Sequence, residues 1–290
     1  VTAGGTTAPG TREGFVSVDG VRLEWRRVGA APDTGPVLVL LHEGLGCVGL
    51  WRDLPERLAA ATGFGVFAWS RRGYGRSDPV PLPRPPDYHA IEAERVLPRV
   101  LDAIDLRCGM LVGHSDGATI AALHAARVAD PRIRGIVLIA PHFFLEDVTL
   151  EGIRRAREAF VRGDLRPRLA RWHGANVDCA FRGWSETWLS PEFRSFDIRD
   201  EIARIRVPVL VVQSEYDPYA TLAQVDVVRA RARVPVETLV LPGTSHAPHI
   251  DRAAAVTDAI TAFARRCLRP DGAPAGDRGG RPSGGTCRGE

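Results

Sequence analysis

Ser115 stands in the run Gly113-His114-Ser115-Asp116-Gly117, directly after the apolar stretch Met110-Leu111-Val112 and directly before a helical run that begins at Ala118. A G-x-S-x-G pattern between strand and helix sets a serine hydroxyl on a sharp turn at a helix N-terminus, where it can serve as a nucleophile. A serine hydroxyl is weakly nucleophilic at neutral pH, so such a site also needs a base and an acid that orients the base. The chain supplies both downstream. Asp217 follows the apolar run Val209-Leu210-Val211-Val212, and His246 follows Thr238-Leu239-Val240-Leu241 and the turn Pro242-Gly243. All three lie just beyond the C-terminal ends of expected parallel strands, the edge at which open α/β sheets bind ligands.

Each of these residues has a rival. Glu215 and Asp147 are alternative acids to Asp217. His249 competes with His246, but it follows Pro248 at the start of the last helix, where a solvent-facing histidine is expected. His42, His89, His114, His124, His142 and His173 show no metal-ligand spacing, and no metal or other cofactor is expected. Cys47, Cys108, Cys179, Cys267 and Cys287 are odd in number and scattered, which points to free thiols in a reducing compartment.

The elements that must position this chemistry follow from apolar periodicity. Strands are expected over 15–18, 21–27, 37–41, 65–69, 110–112, 135–139, 209–212 and 237–241, and helices over 51–61, 91–104, 116–128, 222–232 and 252–268. Continuous apolar runs mark strands buried on both faces, whereas the first two strands alternate and form an antiparallel edge hairpin turned at Asp19-Gly20. The expected fold is therefore α/β, a mostly parallel eight-stranded sheet flanked by helices. Residues 142–204 hold no convincing buried strand but carry Trp172, Trp184 and Trp188, and they read as an inserted helical cap between core segments 13–141 and 205–269. Residues 1–12 and 270–290 are poor in large apolar side chains and read as flexible tails.

Composition removes whole classes of function. The 290 residues are 44% hydrophobic and 25% charged, a globular profile. All 38 basic residues are arginine, so Schiff-base chemistry on lysine, a pyridoxal-phosphate anchor and a P-loop lysine are excluded. The net charge of +3 is small and the basic residues alternate with acids, so no nucleic-acid partner is expected. The first residues lack an apolar signal-peptide core and no run is long enough to span a membrane, so the expected location is cytoplasmic, without membrane association.

The span from about 14 to 268 resembles the α/β-hydrolase fold family through "LLHEGLG", "SRRGYGRSD", "GHSDG", "VQSEYDP" and "PGTSHAPH". The resemblance implies Ser115 as nucleophile, His246 as general base and then acid, and Asp217 as the group that holds the imidazole tautomer. It also implies an oxyanion hole from the backbone N–H groups of Asp116 and Gly44. Relatives mostly have His-Gly at that loop, whereas this chain has His42-Glu43-Gly44, which leaves Glu43 open as a contact to oxyanion or substrate. The simpler expectation is that Asp116 complements the helix N-terminus and Glu43 pairs with Arg71 or Arg72. The sharper one is that one of the two carboxylates selects a substrate bearing an amino or other cationic group. Cap aromatics Phe143, Phe144, Trp172, Trp184 and Trp188 are candidates for an apolar substrate pocket.

The activity so implied is hydrolysis of a carboxylic ester or thioester of a small molecule through an acyl-enzyme. Relatives that open epoxides or remove halides carry Asp at the position of Ser115. The elbow "GHSDG" also departs from the G-N-S-M-G of C–C bond hydrolases and the G-G-S-W-G of proline iminopeptidases, which stand as alternatives. A ligand-binding protein on the same fold is the non-enzymatic alternative, and a homodimer is left open.

Overall fold

The structure, a computed structural model, describes residues 10–243 and 245–268. The expectations for 270–290, for Cys287 and for most of 1–12 lie outside the described residues; β1 begins at Arg12.

Strands β1 (Arg12–Val18) and β2 (Val21–Val28) form a hairpin whose turn residues Asp19 and Gly20 have φ of 51° and 77°. Two consecutive positive φ values make the primed turn that matches strand twist. β2 pairs antiparallel with β4 (Gly65–Trp69), and from there the sheet runs parallel through β3 (Val37–Leu41), β5 (Gly109–His114), β6 (Ile133–Ile139), β7 (Val209–Ser214) and β8 (Val236–Leu241). The spatial order β1-β2-β4-β3-β5-β6-β7-β8 is an eight-stranded, mostly parallel sheet, as the apolar runs require.

The run Val37-Leu38-Val39-Leu40-Leu41 shows how the layers form. Its side chains alternate across the pleat, so Val37, Val39 and Leu41 pack with helices α3 (Leu97–Ala103) and α4 (Asp116–Leu123) on one face. Leu38 and Leu40 pack on the other face with α1 (Leu54–Thr62) and, at the end of the chain, α10 (Ala253–Cys267). Between α1 and α3 lies the short helix α2 (Tyr88–Ile91), which starts three residues before the expected helix. The expected helix 51–61 is also altered: the backbone turns once over Val48–Trp51, breaks at Arg52 with φ of 56°, and restarts with Pro55 in the first turn of α1. Proline suits that turn because the N–H it lacks would have no helical acceptor there.

Between β6 and β7 stand α5 (Asp147–Arg162), α6 (Leu165–His173) and α7 (Val177–Trp188). They have their own apolar cluster, in which the Phe160 and Phe181 rings stack at 3.8 Å. This group sits over the loops that follow β3 and β4. Trp184 lies against Gly44, and His173 accepts a hydrogen bond from Gly75 N–H while donating to Leu45 O. Helix α8 (Ala223–Arg231) follows β7, and a single turn, α9 (Pro248–Asp251), precedes α10.

Candidate active site

Ser115 ends the turn between β5 and α4 with φ of 53°, a left-handed conformation that L-residues rarely adopt. The residues two positions before and after it must be glycine for the turn to close. A Cβ on Gly113 would lie 2.2 Å from Gly117 O, and one on Gly117 would lie 1.9 Å from Leu41 O. The strain thus held at Ser115 lifts its hydroxyl out of the sheet edge.

His246 and Asp217 converge on that hydroxyl. Ser115 Oγ lies 2.9 Å from His246 Nε2, and His246 Nδ1 lies 3.0 and 2.8 Å from the two Asp217 carboxylate oxygens. The carboxylate is oriented by Gln213 Nε2 at 3.1 Å and by the Tyr219 N–H at 2.8 Å. Burial works against its charge, but the facing His246 and the Tyr219 N–H hold Asp217 below the ordinary carboxylate range. A carboxylate that accepts from Nδ1 fixes the tautomer whose free Nε2 can take a proton from the serine.

The rival residues are placed elsewhere. Glu215 is exposed in the turn after β7, and Asp147 is exposed at the start of α5. His249 is a correction to the sequence reading: it is buried, with its ring 5.4 Å from Trp51 and 4.6 Å from His114, because the α9 turn rolls it under the site. Burial, together with His114, pushes its pKa well below the histidine value.

Glu43 is a second correction. Its carboxylate does not pair with Arg71 or Arg72; Oε2 faces His114 Nδ1 at 3.4 Å. Burial opposes charge on both, yet their mutual attraction wins: Glu43 is held far below the carboxylate range and His114 is raised. His114 Nε2 donates at 2.8 Å to the carbonyl of His246, so the Glu43–His114 pair lies directly beneath the His246 loop. Asp116, at the first position of α4, is fully buried and accepts from Tyr88 OH at 2.6 Å, with His89 at 3.4 Å and Arg71 at 3.7 Å beyond. It is removed from the cavity by these partners.

The cavity above Ser115 has a volume of about 200 Å³. Glu43, Gly44, His114, Ser115, His142 and His246 form its floor, and Thr149, Ile153, Trp184, Trp188 and Tyr219 its roof and side. Of the five aromatic candidates for a pocket wall, Trp184 and Trp188 line the cavity. Phe143 instead joins the sheet-side core, Phe144 lies under the Arg199 guanidinium at 5.0 Å, and Trp172 packs on Gly49 beside Arg52. The segment doubles back onto the sheet before its helices begin, so its first two aromatic rings are used as core. His142, Tyr219 and Ile153 reach the cavity without any local sequence signal. Burial and the neighbouring His246 lower His142 to about 3, which keeps it neutral near the reacting atoms. Among the described residues no group of three or more His, Cys, Asp or Glu is arranged to hold a metal, and no helix is long and apolar enough to cross a membrane.

Known proteins share the family and the fold. A family model described as the alpha/beta hydrolase family matches residues 38–259. An uncharacterized protein of Mycobacterium tuberculosis is 34% identical over 157 residues, which are 47% of this chain and 41% of that protein, so the chain spans well under half the length of the first relatives it matches. Serine hydrolase BPHL of Homo sapiens is 28% identical over 218 residues, 70% of this chain and 69% of that one. Among solved structures, the enol-lactonase from Burkholderia xenovorans has a TM-score of 0.65 at 23% identity, covering 86% of this chain and 99% of its own, a likeness of fold.

Proposed function

We propose that this chain, which belongs to the alpha/beta hydrolase family, is a serine hydrolase that cleaves a carboxylic ester or thioester of a small molecule through an acyl-enzyme on Ser115. The observation that carries this reading is the unbroken line of hydrogen bonds from Ser115 through His246 to Asp217 at the floor of an apolar cavity. Ser115 Oγ attacks the acyl carbon while His246 takes its proton. The tetrahedral oxyanion sits between the N–H groups of Asp116 and Gly44. His246 then protonates the leaving alcohol or thiol as the bond to it breaks, and a water deprotonated by His246 attacks the acyl-enzyme and releases the acid. Every step uses groups of this chain, and none needs a metal or an organic cofactor.

The cavity favours a small acyl group, with Ile153, Trp184 and Trp188 as its apolar wall. Glu43 is the one carboxylate in the lining, and it is held ionised. It therefore favours acyl groups that carry an ammonium close to the carbonyl over neutral ones of the same shape.

A burst of p-nitrophenol from p-nitrophenyl acetate tests the reading. The native chain should give one equivalent per site followed by slower turnover, and Ser115→Ala should lower turnover by about 10⁵-fold, towards the uncatalysed rate. Equal rates in the two proteins would remove the hydrolase reading and leave non-catalytic ligand binding in its place.

A further inference from the structure

Arg71 is among the most deeply buried side chains of the molecule, and nothing in the proposed chemistry uses it. It lies two residues beyond the end of β4, in the turn that follows that strand. Its guanidinium reaches the loop after β3 and the nucleophile turn together. Nη1 donates to His42 O, Nη2 donates to Glu43 O at 3.1 Å, and Nη2 lies 3.7 Å from Asp116 Oδ2. Its own N–H donates to His42 Nε2 at 3.0 Å, while His42 Nδ1 donates to Glu43 O at 2.7 Å. Gly46 N–H donates to the same oxygen at 3.1 Å.

The direction of one peptide plane follows from these bonds. In a trans peptide the C=O and the following N–H point in opposite directions. With the Glu43 carbonyl drawn back by three donors, the Gly44 N–H must face the other way, and Gly44 lines the cavity. Contact with Trp184 leaves no room for a Cβ there. The peptide N–H on the far side of the hole belongs to Asp116, whose carboxylate is attracted by the same guanidinium.

We infer that Arg71 is the positioning residue of the oxyanion hole: it turns the Glu43–Gly44 peptide so that its N–H faces Ser115, and it ties that loop to Asp116 on the nucleophile turn. This rests on the hydrolase reading. A neutral side chain in its place would leave Glu43 O with two donors, and a lysine ammonium cannot span both loop carbonyls and Asp116 with the fixed fork of a guanidinium.

The test compares Arg71→Lys and Arg71→Met with the native chain. Turnover of p-nitrophenyl acetate is divided by the number of sites labelled to completion by an irreversible fluorophosphonate, so that misfolded protein drops out. Inhibition by phenylboronic acid, which forms a tetrahedral adduct with an active serine, gives a second readout. The expected result is a fall of about 100-fold in kcat per titrated site with KM within about threefold, and a parallel loss of boronate affinity. Changes under about threefold in both readouts for folded Arg71→Lys would overturn the inference while leaving the hydrolase reading standing. Absence of titratable sites in both variants would overturn it too, by assigning Arg71 to folding. A native chain with no burst would instead sink the hydrolase reading itself.

Discussion

The floor and the roof of the cavity are built on opposite principles. The floor is polar and held bond by bond: a strained serine, a carboxylate with three donors, a buried arginine and a neutral histidine, each with named partners. The roof is apolar, made by one face of α5 and α7, and rests on ring and aliphatic contacts. Polar links also join them. Trp188 Nε1 donates at 2.8 Å to Tyr88 OH, which in turn donates to Asp116, and His173 bridges the Leu45 and Gly75 main chains. Hydrogen bonds have narrow geometry, so the floor tolerates little change, whereas apolar packing accepts substitutions of similar volume. The molecule thus separates a fixed reaction from an adjustable choice of substrate.

That division can be broken at several strengths. The largest effect after loss of Ser115 is expected for Asp217→Asn, which leaves the fold intact but offers an N–H to His246 Nδ1 and favours the wrong tautomer. Turnover of p-nitrophenyl acetate should fall by about 10⁴-fold with KM little changed. A large rise in KM instead would mean that the floor also sets binding.

Glu43→Gln probes the place where the floor faces substrate. The native chain should prefer the ethyl ester of β-alanine over ethyl butanoate, which has the same length without the charge. The variant should lose roughly tenfold of that preference in kcat/KM, as expected for one screened ion pair at a partly open site. An unchanged ratio, measured by titrating released acid, would confine Glu43 to its contact with His114.

Trp184→Ala should act in the opposite sense to the floor variants. Opening the roof should raise KM for p-nitrophenyl butanoate about fivefold while kcat for the acetate stays within about threefold. A kcat loss as deep as that of Asp217→Asn would erase the distinction between the two walls, because Trp184 also presses on Gly44.

Much of the floor was legible because its signals are local. Gly113 is required by a contact within the nucleophile turn, and Asp217 and His246 each follow a strand whose apolar run announces it. The partners of those residues were not legible. Arg71 reaches acceptors 28 and 29 positions earlier, and the proton on His114 Nε2 is directed to a carbonyl 132 positions later. Composition also concealed the use of arginine: with 38 of them among the residues, nothing local distinguishes the buried Arg71 from its exposed neighbour Arg72.

Periodicity and turn chemistry by themselves determined the order of elements, the sheet with helices on both faces, and the edge at which a site must form. These are consequences of which side chains avoid water and which backbones can turn, and both are properties of short stretches. Only the tertiary structure decided that Glu43 faces His114, that Asp116 is withdrawn from the cavity, that His249 is buried, and that Phe143 and Phe144 leave the wall to Trp184 and Trp188. Each of those outcomes depends on which distant donor or ring reaches a group first, and that competition is settled only when the layers close.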